Sequence, residues 1–242
     1  MKFENRRHAG RLLAHQLSRY AHADNVIVLG IPRGGVPVAF EIAKELNAPL
    51  DIFLSRKLGV PGQEELAFGA IAAGDGRFLD KQVVEAAGIT PEEIERITHD
   101  TAEKLQERAL LYRNGRPPAP VEGRTVILVD DGIATGASIY AAICALREMK
   151  PKYLIVAVPV APKSTCDWLC PYTDKLVALH TPAHFYAVGQ FYREFSQVSD
   201  DEVVALLKEA DSRFAHRTTA QDSPGNDHAS SRSGHAHQGS SH

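Results

Sequence analysis

The chain has 242 residues, 44 % of them apolar, with 27 Lys and Arg against 30 Asp and Glu for a net charge near −3. That balance excludes a global electrostatic footprint for nucleic acid, and no apolar run approaches the roughly 20 residues that cross a bilayer. The length suits one large domain with additions, the polar N-terminus has no signal-peptide pattern, and Cys144, Cys166 and Cys170 lack metal spacing, so reduced thiols and the cytoplasm are expected.

Arg6 to Tyr20 carries apolar residues at 12, 13, 17 and 20, a helical spacing. Val26–Gly30 reads as a short buried strand, followed by the turn Pro32-Arg33-Gly34-Gly35 and a helix over about 36–46. A second strand is expected over 50–55, then a Gly- and Pro-containing loop over 58–65 and a third strand over 66–73. Thr90-Pro91-Glu92-Glu93 is a capping box with Pro at the first helical position, so a long charged helix should run to about Arg113. The helical stretch 80–113 reads as an insertion, and 116–120 as a linker.

Val126–Val129 is a buried strand that leads through a small-residue turn into a helix over about 136–149. A strand over 153–158, a short helix over 164–169, a strand over 175–179 and a helix from Asp200 to about 214 complete the pattern. This alternation predicts an α/β fold with a mostly parallel sheet flanked by helices, in one domain over 1–214. Residues 215–242 are rich in Ser, His, Gly, Gln and Asp and nearly devoid of apolar residues, so a disordered tail is expected. Its five His residues are read as solvated, with weak metal binding as the alternative.

Residues 126–138 read Val-Ile-Leu-Val-Asp-Asp-Gly-Ile-Ala-Thr-Gly-Ala-Ser. A strand-turn-helix of this kind aims backbone N–H groups and the positive end of a helix dipole at one spot, which suits a phosphate. Gly136 permits close approach, and the hydroxyls of Thr135 and Ser138 add donors. Asp130 and Asp131 stand just upstream, placed to accept hydrogen bonds from two adjacent hydroxyls. Phosphate on one side and a diol on the other describe a ribose 5-phosphate.

All thirteen positions fit the phosphoribosyl-pyrophosphate (PRPP) motif, and the chain resembles the type I phosphoribosyltransferases over roughly residues 24–210. The resemblance implies a sheet with a C-terminal hood, Mg2+ as cofactor, PRPP and a small-molecule acceptor as ligands, and a homo-oligomer active in nucleotide metabolism. PRPP would contact Asp130, Asp131, Gly132, Ile133, Ala134, Thr135, Gly136, Ala137 and Ser138, with Asp130 and Asp131 also serving the metal. Pro32-Arg33-Gly34-Gly35 resembles the pyrophosphate loop, which often holds a non-proline cis peptide; there Arg33, Gly34 and Gly35 would bind the leaving group. Arg56 and Lys57 would open a mobile loop that closes over PRPP and excludes water. Asp130, Asp131, Arg33 and Lys57 are the expected catalytic residues.

The aromatic stretch 181–192 would supply the hood, with Phe185, Val188, Phe191 and Tyr192 against the acceptor or, as the alternative, packed on the core. Purine-salvage relatives that act on hypoxanthine and guanine carry Asp at the position of Ala134, so a 6-oxopurine acceptor is disfavoured. A PRPP- or nucleotide-sensing regulator of the same fold, without turnover, is the competing functional expectation.

Overall fold

The computed structural model describes residues 1–73 and 76–221, with side chains as far as Ala215. The first half of the chain forms α1 (Arg6–Gln16), β1 (Val26–Gly30), α2 (Gly35–Leu46), β2 (Leu50–Ile52), β3 (Ser55–Val60), β4 (Gln63–Ala72), β5 (Arg77–Leu79), α3 (Lys81–Ala87) and α4 (Pro91–Arg113). The second half adds β6 (Thr125–Val129), α5 (Ala137–Glu148), β7 (Tyr153–Val160), α6 (Lys163–Leu169), β8 (Lys175–His180) and α7 (Asp200–Gln221).

Five strands form a parallel sheet in the order β2-β1-β6-β7-β8. All five residues of both β1 and β6 are buried, as runs of Val, Ile and Leu covered on two faces must be. One face packs Val26, Val28, Ile127, Val129 and Ile155 against α1, α2 and α7. The other packs Ile27, Leu29, Val126, Leu128 and Val156 against α5 and α6. This alternation is the period-2 consequence of a strand buried on both sides.

The segment expected as one strand over 50–55 is divided. β2 stops at Ile52, and after the buried link Phe53-Leu54 the chain enters β3, which leaves the parallel sheet. The expected loop over 58–65 is an antiparallel hairpin: β3 pairs with β4 around the turn Pro61-Gly62, where Gly62 has φ 76°. The register shifts at Leu58/Gly59 and Gly59/Val60 break the clean alternation by which a hairpin is recognised in sequence. β5 completes this small sheet, and three residues are too few to show a period.

The first helix is shorter than its apolar spacing suggests. It ends at Gln16, where buried Leu17 caps it, and a 3-10 turn carries Ser18–Tyr20. The capping box before α4 forms as expected: the Glu93 N–H donates to Thr90 Oγ1 at 3.2 Å and the Thr90 N–H to Glu93 Oε2 at 3.0 Å. The Thr90 N–H and hydroxyl, both donating to Glu93 Oε2, hold the Glu93 carboxyl below its usual range. At the other end of α4, Arg113 Nε donates to both oxygens of Asp51 at 3.0 Å, and Arg113 Nη2 donates to the Ile52 carbonyl. The N–H groups of Ile52 and Ala119 also donate to Asp51, so this buried ion pair is well satisfied and ties the 80–113 segment to β2. α7 continues past 214 to Gln221; the rest of the segment expected to be a disordered tail lies outside the described residues.

Candidate PRPP site

Parallel pairing of β1 with β6 sets Gly30 opposite Val129, so the turns that follow the two strands lie side by side at one sheet edge. The Ile31 N–H donates to the Val129 carbonyl at 2.8 Å and stitches them together. A crevice beyond the carboxyl ends of parallel strands is the usual ligand position in such sheets. Pro32–Arg33 is a non-proline cis peptide, as the resemblance implies. A Cβ on Gly34 would overlap the Asp131 carboxylate, and one on Gly35 would lie 2.6 Å from the Val129 carbonyl oxygen. The two glycines are therefore what lets the Pro-Arg-Gly-Gly turn close against the diacid.

Asp130 and Asp131 are brought together and largely withdrawn from solvent. The Asp131 N–H donates to Asp130 Oδ1 at 2.8 Å. Burial, reinforced by the neighbouring Asp131 charge, raises the Asp130 carboxyl well above its ordinary range. Asp131 is raised as well, chiefly by burial, against the opposing pull of Arg6. Arg6 Nε donates to Asp131 Oδ2 at 2.7 Å, with the two side chains only 11 % and 14 % exposed. The guanidinium also donates to the Ser196 carbonyl at 2.7 Å and lies 3.9 Å from the Phe195 ring centroid. Tyr192 fixes the diacid from the backbone side, its hydroxyl donating to the Asp131 carbonyl at 2.6 Å.

The turn after the diacid is anchored below and open above. The Ile133 N–H donates to the Val160 carbonyl at 2.9 Å, and Thr165 Oγ1 donates to the Ala134 carbonyl at 2.9 Å. Gly132 is buried beneath Val160 and Val188, and Gly136, with φ 85°, caps α5 in a backbone region that favours glycine. A Cβ there would lie 2.8 Å from the Trp168 ring. Ala134, Thr135 and Ser138 remain exposed at the start of α5, with Ala137 half-buried. Hydroxyl groups and a helix N-terminus are therefore both accessible to solvent at this turn, as a phosphate cradle requires.

The other expected cations are placed differently. Arg33 is half-buried and reaches Asp200 at 3.8 Å, at the start of α7. Arg56 and Lys57 lie within β3 rather than at the end of a core strand, Arg56 exposed and Lys57 3.8 Å from Glu65. In the expected hood, Phe191 and Tyr192 are 7 % and 3 % exposed and pack with Phe3 and Val160. Their rings are committed to the core, the packing alternative, because Phe3 pairs with Tyr192 in a β-bridge and its N–H donates to the Phe191 carbonyl. Phe185 and Val188 are half-buried at the rim of this cluster.

Arg6, Asp200 and the hydroxyl of Tyr192 belong to the site and were not singled out from sequence. Arg6 and Tyr192 stand 125 and 61 residues from Asp131, and Arg33 is similarly remote from Asp200, beyond any local spacing rule.

Residues 3–167 match the phosphoribosyl transferase domain, and the chain belongs to that family, one of pentosyltransferases. It is 47 % identical over 213 residues to the Mycobacterium tuberculosis protein Rv0571c, provisionally named a phosphoribosyl transferase, covering 88 % of this chain and 48 % of that one. The chain thus spans about half the length of the curated relatives it matches. A solved structure, that of TT1426 from Thermus thermophilus, superposes with a TM-score of 0.79 at 42 % identity, covering 86 % of this chain and 99 % of that one. The bifunctional protein PyrR of Corynebacterium glutamicum is 30 % identical over 139 residues, 57 % of this chain and 54 % of that one.

Proposed function

We propose that the chain transfers the 5-phosphoribosyl group from PRPP to a small-molecule acceptor, releasing pyrophosphate. The observation that carries this reading is the pair Asp130–Asp131, packed against the Gly34 turn on one side and followed by an exposed hydroxyl-bearing turn on the other. The 5-phosphate fits the exposed edge formed by Thr135, Ser138 and the start of α5. The ribose hydroxyls fit the diacid, whose ionised form also stabilises positive charge developing on the ring. Arg33 and the Gly34-Gly35 backbone face the pyrophosphate, and Lys57 reaches it if the β3–β4 hairpin closes. In the reaction the bond from the anomeric carbon to pyrophosphate breaks and a bond to the acceptor nucleophile forms, with the acceptor's proton passing to a base or to water.

The donor set fits Mg2+. Arg6 takes Oδ2 of Asp131 and the Asp131 N–H takes Oδ1 of Asp130, leaving the second oxygen of each carboxylate without a hydrogen bond from another of the described residues. Among the described residues no cluster of three or more His, Cys, Asp or Glu could hold a metal. Asp130 and Asp131 would therefore hold the cation together with substrate and water oxygens, the coordination Mg2+ prefers. When bound, it would neutralise charge on the pyrophosphate and help it depart.

Ala134 is exposed at the turn and bears no proton-transfer group, so hypoxanthine and guanine should be slow acceptors. The test is labelled PRPP incubated with a panel of bases and small nucleophiles, following pyrophosphate release and the mass of the product. Release that depends on one acceptor supports the transferase. Tight PRPP binding without release under any acceptor would instead support a PRPP sensor, and efficient inosine or guanosine monophosphate synthesis would overturn the acceptor argument. A cytoplasmic homo-oligomer is part of the same proposal, tested by sedimentation of the purified chain; no helix among the described residues is long and apolar enough to cross a membrane.

A further inference from the structure

A cavity of about 790 Å3 opens between the β3–β4 hairpin, α4 and the start of α5. Four cations line it, Arg56 and Lys57 from β3 and Arg96 and Lys104 from α4, against the single carboxylate of Glu64. Ser138 of the PRPP turn also lines it, so the cavity is continuous with the candidate phosphate cradle. Its size falls in the usual range of about 300–1,000 Å3 for small-molecule sites, but its wall is polar and basic where most such sites are apolar.

The side chains of Arg56 and Lys104 make no ion pair among the described residues. Lys57 faces Glu65 only at 3.8 Å, and Arg96 reaches Asp100 only at 3.9 Å with both side chains mostly exposed. Such contacts are worth little, so these charges are available to a ligand. The α4 side is also ordered by its spacing. Ile97, Thr101, Lys104 and Arg108 follow one another at intervals of four, three and four residues, the repeat that keeps side chains on one helix face. Arg108 then meets Asp200 at 3.9 Å, the same carboxylate oxygen that Arg33 approaches at 3.8 Å. Arg33 and Arg108 therefore share the Asp200 carboxylate, which links the Pro-Arg-Gly-Gly turn to the face of α4 that lines the cavity.

We propose that α4 supplies a second phosphate-binding subsite, in which Arg96 and Lys104 face Arg56 and Lys57 across the cavity beside the PRPP turn. This deepens the phosphoribosyl-transfer reading by assigning the 80–113 segment a ligand: a phosphate group held apart from the ribose 5-phosphate. That phosphate has two possible sources, the pyrophosphate of the donor or a phosphate carried by the acceptor. Binding from both walls would also draw the hairpin toward α4, because opposed cations repel until an anion lies between them.

Arg96 and Lys104 are exposed positions on a long helix, and alanine suits a helix interior, so Arg96→Ala/Lys104→Ala should fold normally. Calorimetry would use inorganic pyrophosphate titrated into the free protein and, separately, inorganic phosphate titrated into protein saturated with both a nucleoside monophosphate and pyrophosphate. A weakening of about tenfold, shrinking as salt is raised, is expected in at least one arm. Weakening in the first arm identifies the donor's pyrophosphate as the occupant, and weakening in the second identifies a phosphate on the acceptor. Lys104→Arg should restore most of the affinity, whereas removing two distant exposed cations in Lys152→Ala/Lys208→Ala should leave both arms unchanged. Unchanged affinity in both arms of the α4 variant, or an equal loss in the distant control, overturns the subsite. Neither result touches the PRPP assignment, which fails separately if substitution of the diacid leaves PRPP affinity intact.

Discussion

The diacid turn and the β3–β4 hairpin face the same crevice, yet they are held in opposite ways. At the end of β6, Asp131 is gripped from three sides: by the Arg6 side chain, by the Tyr192 hydroxyl on its carbonyl, and by the Gly34 backbone against its carboxylate. The hairpin exposes Pro61 to Leu66, and among the described residues its cation Lys57 has only the fully exposed Glu65 as an ion-pair partner, at 3.8 Å. A region with few buried contacts opens at low free-energy cost, whereas one wired into the core opens only with the core. In the proposed reaction the contrast divides the roles: the rigid turn would fix the ribose and its anomeric carbon, and the exposed hairpin tip would close over the leaving group and reopen while Leu58 and Phe68 stay anchored in the core.

If the rigid turn is the ribose site, its failure should be the largest. Asp131→Asn removes a charged acceptor for the diol and cation and is expected to weaken PRPP binding by about 3 kcal/mol, more than a hundredfold. Calorimetric titration with PRPP and Mg2+ decides this; unchanged affinity in both Asp131→Asn and Asp130→Asn removes the basis of the site.

Arg6 tests how the rigidity is produced. Arg6→Ala leaves Asp131 with burial and no counter-charge, and breaking a nearly buried pair should cost roughly 2–4 kcal/mol, or a melting point lower by about 5–10 °C. A pH effect comes with it. The diol and cation need the ionised diacid, so binding is present above its raised pKa and is lost as the pH falls through it. Arg6 is what pulls Asp131 down, so its removal should move that loss of binding to higher pH. An acid limb that stays in place, measured by PRPP affinity across pH, would show that Arg6 is only a structural strut.

Much of the rigid half was legible in sequence because its signals are local. Val126 to Ser138 is a continuous string, and Thr90 to Glu93 caps a helix within four residues, so strand, turn and helix each announce themselves. The sheet order then makes two local motifs into one site, since Gly30 pairs with Val129. Residues 58–65 read as a loop because the bulged register and the short partner β5 suppress the alternation that marks strands, whereas the strand expected over 66–73 forms most of β4. Phe191 and Tyr192 show the same limit from the other direction. An aromatic-rich stretch suits a base platform and a core equally well until Phe3, far away in sequence, is seen to cover it. Arg6 looked like any polar residue of an amphipathic helix, and only folding sets it beside Asp131.

On the looser side, Lys57→Ala should cost PRPP turnover about 1–2 kcal/mol, the value of a charged hydrogen bond reduced because Lys57 is 34 % exposed. Binding of a nucleoside monophosphate, which carries no pyrophosphate, should change far less. Equal losses for PRPP and the monophosphate would place Lys57 on some other group and would erase the division of labour between turn and hairpin.

The smallest expected effect probes what the rigid turn costs the fold. Asp130 has its carboxyl raised well above the ordinary range by burial and by the neighbouring charge of Asp131. A group whose pKa is higher in the folded than in the unfolded chain does no harm in acid, where both states are protonated. It destabilises the fold increasingly as the pH rises through the folded value, because the buried form must then ionise or hold a proton that the unfolded chain would release. Asn keeps an oxygen to accept the Asp131 N–H and does not titrate. Asp130→Asn should therefore raise the melting temperature at neutral pH by about 2–4 °C, on the order of 1 kcal/mol, while it weakens PRPP binding. The gain should fade as the solution is made acidic, which scanning calorimetry over a pH series would reveal. A variant less stable than the parent at neutral pH would mean that the Asp130 charge is better compensated in the folded chain than its burial implies, and that the diacid is part of the scaffold as well as of the site.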